Sequence, residues 1–271
     1  MVTSIRHLNC GTMRPGLRRL PALGMPDSIV AHVLLVETDQ GVTLVDTGFG
    51  TEDVRARGAR LPGPFVRLIG PAFDPGETAL AQLQALGHAP GDVRDVILTH
   101  LDLDHASGLA DFPAARVHLH ATELQAARAP RLRERTRYIA AQWRHGPDWV
   151  EHGTAGEDWF GFTGVRVIGD DVLLIPLHGH TRGHSGVAVR RPGGGWYLHA
   201  GDAYFHSGDL AVPRACPLGL RLFQELVQAD RGQRIANLER LTELHARHDT
   251  EVTIFSAHDA GELAALAGRT D

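Results

Sequence analysis

Within the six residues His100-Leu101-Asp102-Leu103-Asp104-His105 the chain sets two imidazoles and two carboxylates. Neutral imidazole is the commonest side-chain ligand of transition metals and carboxylate is a hard oxygen donor, so four such groups this close point to a divalent metal site. In extended backbone, side chains two apart share a face; His100, Asp102 and Asp104 should therefore converge, with the following turn bringing in His105. Three later segments, each following an apolar run, supply more donors: Gly179-His180-Thr181-Arg182-Gly183-His184-Ser185, Ala200-Gly201-Asp202-Ala203 and Ser256-Ala257-His258-Asp259. Burying carboxylates and imidazoles together is costly unless a cation offsets their repulsion and desolvation.

The elements that must position these groups are legible in the apolar pattern. Ile29–Glu37 and Val42–Asp46, separated by Thr38-Asp39-Gln40-Gly41, predict a hairpin. Asp74-Pro75-Gly76-Glu77 predicts a capped helix start, with the helix ending near Gly87. A strand at Val93–Thr99 runs straight into the His/Asp cluster, followed by a helix beginning at Ser107-Gly108-Leu109 and a strand at Arg116–His120. Residues 121–162 begin helical and turn irregular, carrying Arg128, Arg131, Arg133, Arg135 and Arg137 and then Trp143, Trp149 and Trp159; they read as an insertion or cap. The arginines form a solvated face or greet an anionic substrate, and the tryptophans pack on the body or line an apolar pocket. Strands follow at Val172–Pro176, Gly186–Arg190 and Trp196–His199, then one helical stretch at about Leu220–Arg247 and a last strand at Glu251–Phe255. Strands in both halves with helices between them predict a layered α/β sandwich.

Composition narrows the chemistry. The 271 residues suffice for one large domain, and the net charge of −5 disfavours nucleic acid or an anionic membrane as partner. All 27 basic residues are arginine. With no lysine, Schiff-base catalysis and the Gly-Lys-Ser/Thr phosphate loop are excluded. No Gly-x-Ser-x-Gly elbow is present. Two cysteines, Cys10 and Cys216, make no disulfide scaffold, and no apolar run suits a signal peptide or a membrane span, so a cytoplasmic protein is expected.

The donor order resembles the metallo-β-lactamase superfamily, whose marker is His-x-His-x-Asp-His followed by a histidine, a bridging aspartate and a final histidine. Leu44-Val45-Asp46-Thr47-Gly48 resembles that family's first motif, and the likeness runs from about residue 30 to 258. It implies an α/β (α+β) chain folded as a four-layer αββα sandwich, in a single domain over 1–271 with the cap at 121–162, and a site along one edge of two facing sheets. Carried over by position, His100, Asp102 and His184 would hold a first metal, Asp104, His105 and His258 a second, and Asp202 would bridge them, with Asp46 in support. His180 is then left as a structural hydrogen-bonder, and His199 and His206 lie outside the ligand set. His118, His120, His145, His152 and His248 have no motif support and read as ordinary solvated or hydrogen-bonded imidazoles. The chain departs from the pattern at Asp102, where the family has its second histidine. A harder anionic donor there moves preference from zinc toward iron or manganese, so two divalent ions are expected, zinc first, with iron or manganese as alternatives.

The resemblance implies hydrolysis by a hydroxide bridging the metals, with Asp104 passing a proton to the leaving alkoxide and Tyr204 either donating to the developing oxyanion or merely packing. The expected substrate is a small carboxylic ester or lactone, in a layout nearest the acyl-homoserine lactonases. The alternatives are an iron-dependent dioxygenase of the same fold and a metal-stabilised binding protein without activity. A small molecule is the expected partner, and a homodimer is left open.

Overall fold

Strands apolar on both faces need cover on both sides, and the computed structural model, which describes residues 1–268, supplies it. The first sheet takes six strands in chain order: β1 (Val2–Asn9), β2 (His32–Thr38), β3 (Gly41–Val45), β4 (Val93–Ile97), β5 (Arg116–His120) and β6 (Asp148–His152). β1, β2 and β3 pair antiparallel, and β3 through β6 pair parallel. The second sheet orders β7 (Glu157–Trp159), β8 (Phe162–Ile168), β9 (Val172–Pro176), β10 (Ser185–Arg190), β11 (Trp196–His199) and β12 (Val252–Phe255), with only β11 and β12 parallel.

Strand alternation builds the layers. Leu34 and Val36 of β2, Val45 and Ile97 meet Leu174, Val187, Val189, Tyr197 and Phe255 between the sheets. The intervening Val33, Leu35, Leu44 and Val96 face outward onto Leu83, Leu109, Phe112 and Leu124. On the opposite flank Leu173, Ile175, Ala188 and Leu198 are covered by Leu238, Leu241 and Leu244. The helices are α1 (Thr51–Arg55), α2 (Gly63–Ile69), α3 (Ala79–Ala85), α4 (Leu103–Ala106), α5 (Ala121–Arg128), α6 (Leu218–Val227), α7 (Arg231–His248) and α8 (Ala260–Leu266). The result is the αββα sandwich.

Some local expectations shift for identifiable reasons. Asp74 caps only a short 3-10 turn through the Gly76 N–H at 2.8 Å, and Thr78 then caps α3 through the Ala81 N–H. The single helix expected over 220–247 is two, because the Asp230 side chain captures the Gln233 N–H and starts α7 afresh after an extended Gln228. Helix begins already at Leu103 with Asp102 as its N-cap, and a 3-10 turn over Ser107–Asp111 follows where the helix start was expected, so Asp104 and His105 stand on a helical turn and not on an extended run. Within the segment expected as a cap at 121–162, residues 148–152 form an integral strand of the first sheet and Trp159 lies buried in the second. Strands β1 and helix α8, which the apolar pattern does not announce, complete one end of the sandwich. Among the described residues no helix is long and apolar enough to cross a membrane.

Candidate metal centre

The loops after β3, β4, β9 and β11, and the one after β12, meet at one edge of the two sheets. Asp46, one step past β3, adopts a left-handed φ of 60°, and Gly48 lies where a Cβ would come 2.3 Å from the Cys10 carbonyl oxygen, so this turn requires glycine. The turn aims the fully buried Asp46 carboxylate at the neighbouring loop. It accepts from the Thr99 N–H and hydroxyl, each at 2.8 Å, and from His105 Nδ1 at 2.8 Å.

Each of three histidines is anchored through Nδ1, which leaves Nε2 as the free donor atom. His105 Nδ1 donates to Asp46; His100 Nδ1 lies 3.0 Å from the Thr99 hydroxyl, which is itself committed to Asp46; and His258 Nδ1 donates to the Val30 carbonyl at 2.7 Å. Their Nε2 atoms converge on carboxylates. Asp202 Oδ2 lies 3.8 Å from His100 and 3.2 Å from His180, while its Oδ1 lies 3.2 Å from His105 and 3.1 Å from His258. Asp102 Oδ2 stands 3.3 Å from His100 and 3.0 Å from His180. Asp104 reaches His105 at 3.9 Å and His258 at 3.7 Å.

Two donor groups result: His100, Asp102, His180 and Asp202 on one side, and Asp104, His105 and His258 on the other. A tetrahedral ion with bonds of about 2.1 Å spaces its ligands about 3.4 Å apart, the scale of these separations. Buried His100 Nε2, His105 Nε2 and Asp202 Oδ1 have no hydrogen-bond partner, which a bound cation would supply. The donor set therefore fits divalent metal.

The electrostatics are those of mutual compensation. Burial opposes ionisation of Asp202, yet the imidazoles of His258, His105, His180 and His100 hold it well below the usual carboxylate range. Burial likewise opposes protonation of His105, but Asp202, Asp46 and Asp104 together raise it well above the usual imidazole value. Burial lowers His180 to about 4, so its ring is neutral and its lone pair available.

His184 is a correction. It lies beneath the Gly201-Asp202 turn, where its Nε2 accepts the Asp202 N–H at 2.8 Å and its Nδ1 donates to the Leu177 carbonyl at 2.9 Å. Both nitrogens are used, and a Cβ on Gly201 would come 2.6 Å from Nε2. The first histidine of Gly-His-Thr-Arg-Gly-His, His180, takes the donor position instead. Tyr204 is a second correction: it is fully buried and donates to Glu262 at 2.9 Å, away from the cavity, while its neighbour Phe205 forms part of the cavity wall. Asp46 supports His105 as expected, and His199 stays outside the donor set, donating to the His32 carbonyl at 2.6 Å. His206 accepts the Gly208 N–H, His118 pairs with Asp95 and His248 with Glu251.

Two residues that no motif marks hold the donor loops. Glu123 of α5, with no exposed surface, accepts from the Leu101 N–H, the Tyr138 and Thr181 hydroxyls and the Gly183 N–H. Arg137 lies 2.8 Å from Asp102. In sequence they sit among helical and arginine-rich residues that look ordinary.

Above the donors opens a cavity of about 710 Å³, floored by Asp102, Asp104, His180, Asp202 and His258. Its apolar wall is Phe65 and Leu68 of α2, Phe223 and Val227 from α6, and Ile29 and Phe205. The tryptophans do not line it: Trp143 and Trp149 pack on the first sheet's outer core. Exposed Arg131 and Arg133 line it, while Arg128 is paired with Glu151 at 3.0 Å.

A family model described as the metallo-beta-lactamase superfamily matches residues 29–247. The chain is 46% identical over 259 residues to a protein named "Probable metallo-hydrolase" in Mycobacterium tuberculosis, covering 94% of this chain and 80% of that one. It is 29% identical over 198 residues to an N-acyl homoserine lactonase of Azorhizobium caulinodans, covering 70% and 72%. A solved N-acyl homoserine lactone hydrolase holding N-hexanoyl-L-homoserine superposes over 100% of both chains with a TM-score of 0.76 at 21% identity.

Proposed function

The chain belongs to the metallo-β-lactamase superfamily and is a metallo-hydrolase, and from that premise we propose that it cleaves a small carboxylic ester or lactone bearing an apolar chain. The observation that carries this reading is the cavity of about 710 Å³ whose floor is the metal-donor set and whose wall is aromatic and aliphatic. The lactone hydrolases among its relatives and structural neighbours support it.

Two divalent ions, zinc in the first instance, would supply Lewis acidity and an acidified water nucleophile when bound. His100, Asp102 and His180 would hold one and Asp104, His105 and His258 the other, with Asp202 standing beside both groups. Asp46 and Thr99 keep the His105 and His100 rings oriented. Asp104, on the cavity floor, takes the proton released on attack and returns it to the leaving alkoxide. Phe65, Leu68 and Phe223 bind the chain of the substrate and exclude water from the reacting carbonyl. With Tyr204 turned away toward Glu262, its hydroxyl does not serve a developing oxyanion.

The substrate is a small molecule, and a hard carboxylate at Asp102 keeps an iron-dependent dioxygenase as the competing reading. Elemental analysis of protein purified without added metal, with a panel of lactones and esters of increasing acyl length, separates them. About two equivalents of zinc with turnover that improves with chain length is the expected result. Iron with oxygen uptake and no hydrolysis would replace this reading with the oxygenase.

A further inference from the structure

We propose that Asp102 and Arg137 work as one unit, in which Arg137 neutralises the aspartate so that a carboxylate serves as a first-site ligand without adding net charge, and thereby sets which metal that site prefers. The proposal rests on the metal-centre reading but not on the bond hydrolysed.

The two Asp102 oxygens divide between two neighbours. Oδ2 faces His180 and His100 at 3.0 and 3.3 Å, on the donor side, whereas Oδ1 lies 2.8 Å from Arg137 Nε. That contact is an ion pair off the N–H axis, and Oδ1 has no other partner. The guanidinium is not a surface charge that happens to be close. Its remaining nitrogens donate to the His180 carbonyl at 2.9 Å and the Val227 carbonyl at 2.7 Å, so backbone from the loop after β9 and from the C-terminal end of α6 fixes it in place. Arginine cannot shed its proton at any working pH, so the charge is permanent. Burial opposes ionisation of Asp102, but Arg137 and then His100 hold it well below the usual carboxylate range.

The site carries three carboxylates, Asp102, Asp104 and Asp202. An unshared Asp102 would make the first site a harder, more anionic donor set suited to manganese or iron. Drawing one of its oxygens onto Arg137 weakens it as a donor toward the strength of a neutral imidazole. Arg137 also ties the Asp102 loop to the carbonyl of His180, the next donor, and so acts as a positioning residue.

The test is a double-variant cycle on the full chain, Asp102→His, Arg137→Gln and both together, reading first-site zinc and manganese affinity by competition with a chromogenic chelator and the visible spectrum of the cobalt-loaded protein. Asp102→His alone leaves the arginine charge facing the ions, and first-site affinity should fall about 10–100-fold. Removing that charge in the double variant should restore affinity to within about threefold of wild type, a strong non-additivity. Arg137→Gln alone should lower the zinc-to-manganese affinity ratio about tenfold. Arg137→Lys, which keeps the charge, should keep the ratio even if the fork is lost, and it carries the test if Arg137→Gln does not fold. Losses that simply add in the double variant, or an Asp102→His protein that binds as wild type does, would overturn the proposal. Intact coupling in a protein that hydrolyses no ester or lactone would sink the proposed activity and leave this pair standing.

Discussion

Glu123→Gln keeps the volume of a side chain with no exposed surface while removing its charge and one acceptor oxygen. Glu123 Oε1 accepts the Leu101 N–H at 3.1 Å and the Tyr138 hydroxyl at 3.0 Å; Oε2 accepts the Thr181 hydroxyl at 2.7 Å and the Gly183 N–H at 3.0 Å. Burial, with Glu123 adding to it, pushes the Tyr138 hydroxyl up, so it remains a donor. A glutamine must aim its amide nitrogen at one of these two pairs. The hydroxyl of that pair can turn, but the backbone N–H cannot, and it is left buried against another donor. One stranded N–H together with the lost charge-assisted bonds costs about 3 kcal/mol. For a chain of this size that is a fall in melting temperature of about 6–12 °C. Leu101 lies between His100 and Asp102, and Thr181 follows His180, so loosening this clamp should also weaken first-site metal binding about 10–100-fold. Thermal unfolding of metal-free protein followed by circular dichroism, with chelator competition on the same samples, measures both. A variant melting within about 2 °C of wild type with unchanged metal affinity would refute the reasoning, since 2 °C corresponds to less than about 1 kcal/mol.

His180→Ala should leave about one tightly bound metal equivalent where wild type holds about two, whereas His184→Ala should keep both and lose stability through the unpaired Asp202 N–H; elemental analysis after gel filtration decides, and the opposite pattern would restore His184 as ligand. Tyr204→Phe removes only the bond to Glu262, so kcat should stay within about twofold of wild type and stability should fall by about 1 kcal/mol, while a hundredfold loss of kcat would return Tyr204 to the reaction. Burial raises the Glu262 carboxyl to about 8. The unfolded chain ionises first, so the stability Glu262 contributes is full below its unfolded value and is lost as pH rises toward 8. Denaturation from pH 5 to 8 should show wild-type stability declining relative to Glu262→Gln by at most about 1.4 kcal/mol per pH unit, and parallel curves would count against this.

Much of the architecture is legible because it is periodic. The alternation in Val33-Leu34-Leu35-Val36 places successive side chains on opposite faces of β2, and both faces prove buried, one between the sheets and one under helices. The strand at 116–120 falls where its apolar run stands, and the donors appear in chain order because each lies in the loop that follows a strand or, for Asp104 and His105, on the helical turn that loop leads into. These are local facts, carried by neighbours in sequence. Helices α6 and α7 read as one in the sequence because the apolar spacing continues through the break that Asp230 makes.

What tertiary structure alone decided lies in the loops, where no period says which way a side chain points. His180 and His184 are equally polar and share the loop between β9 and β10, and the Asp202 N–H and the Leu177 carbonyl, closing on both nitrogens of His184, leave the donor position to His180. Tyr204 and Phe205 are adjacent, and the turn after Asp202 sends the hydroxyl into the body and the phenyl ring to the cavity. Arg137 meets Asp102 and Glu123 binds Leu101 across long intervals of chain, through packing that brings together segments with no mutual signal. The kinds of donor atom and their order belong to the sequence; which nitrogen is free to bind, and which charge stands behind each carboxylate, follow from backbone groups that only the folded chain brings into reach.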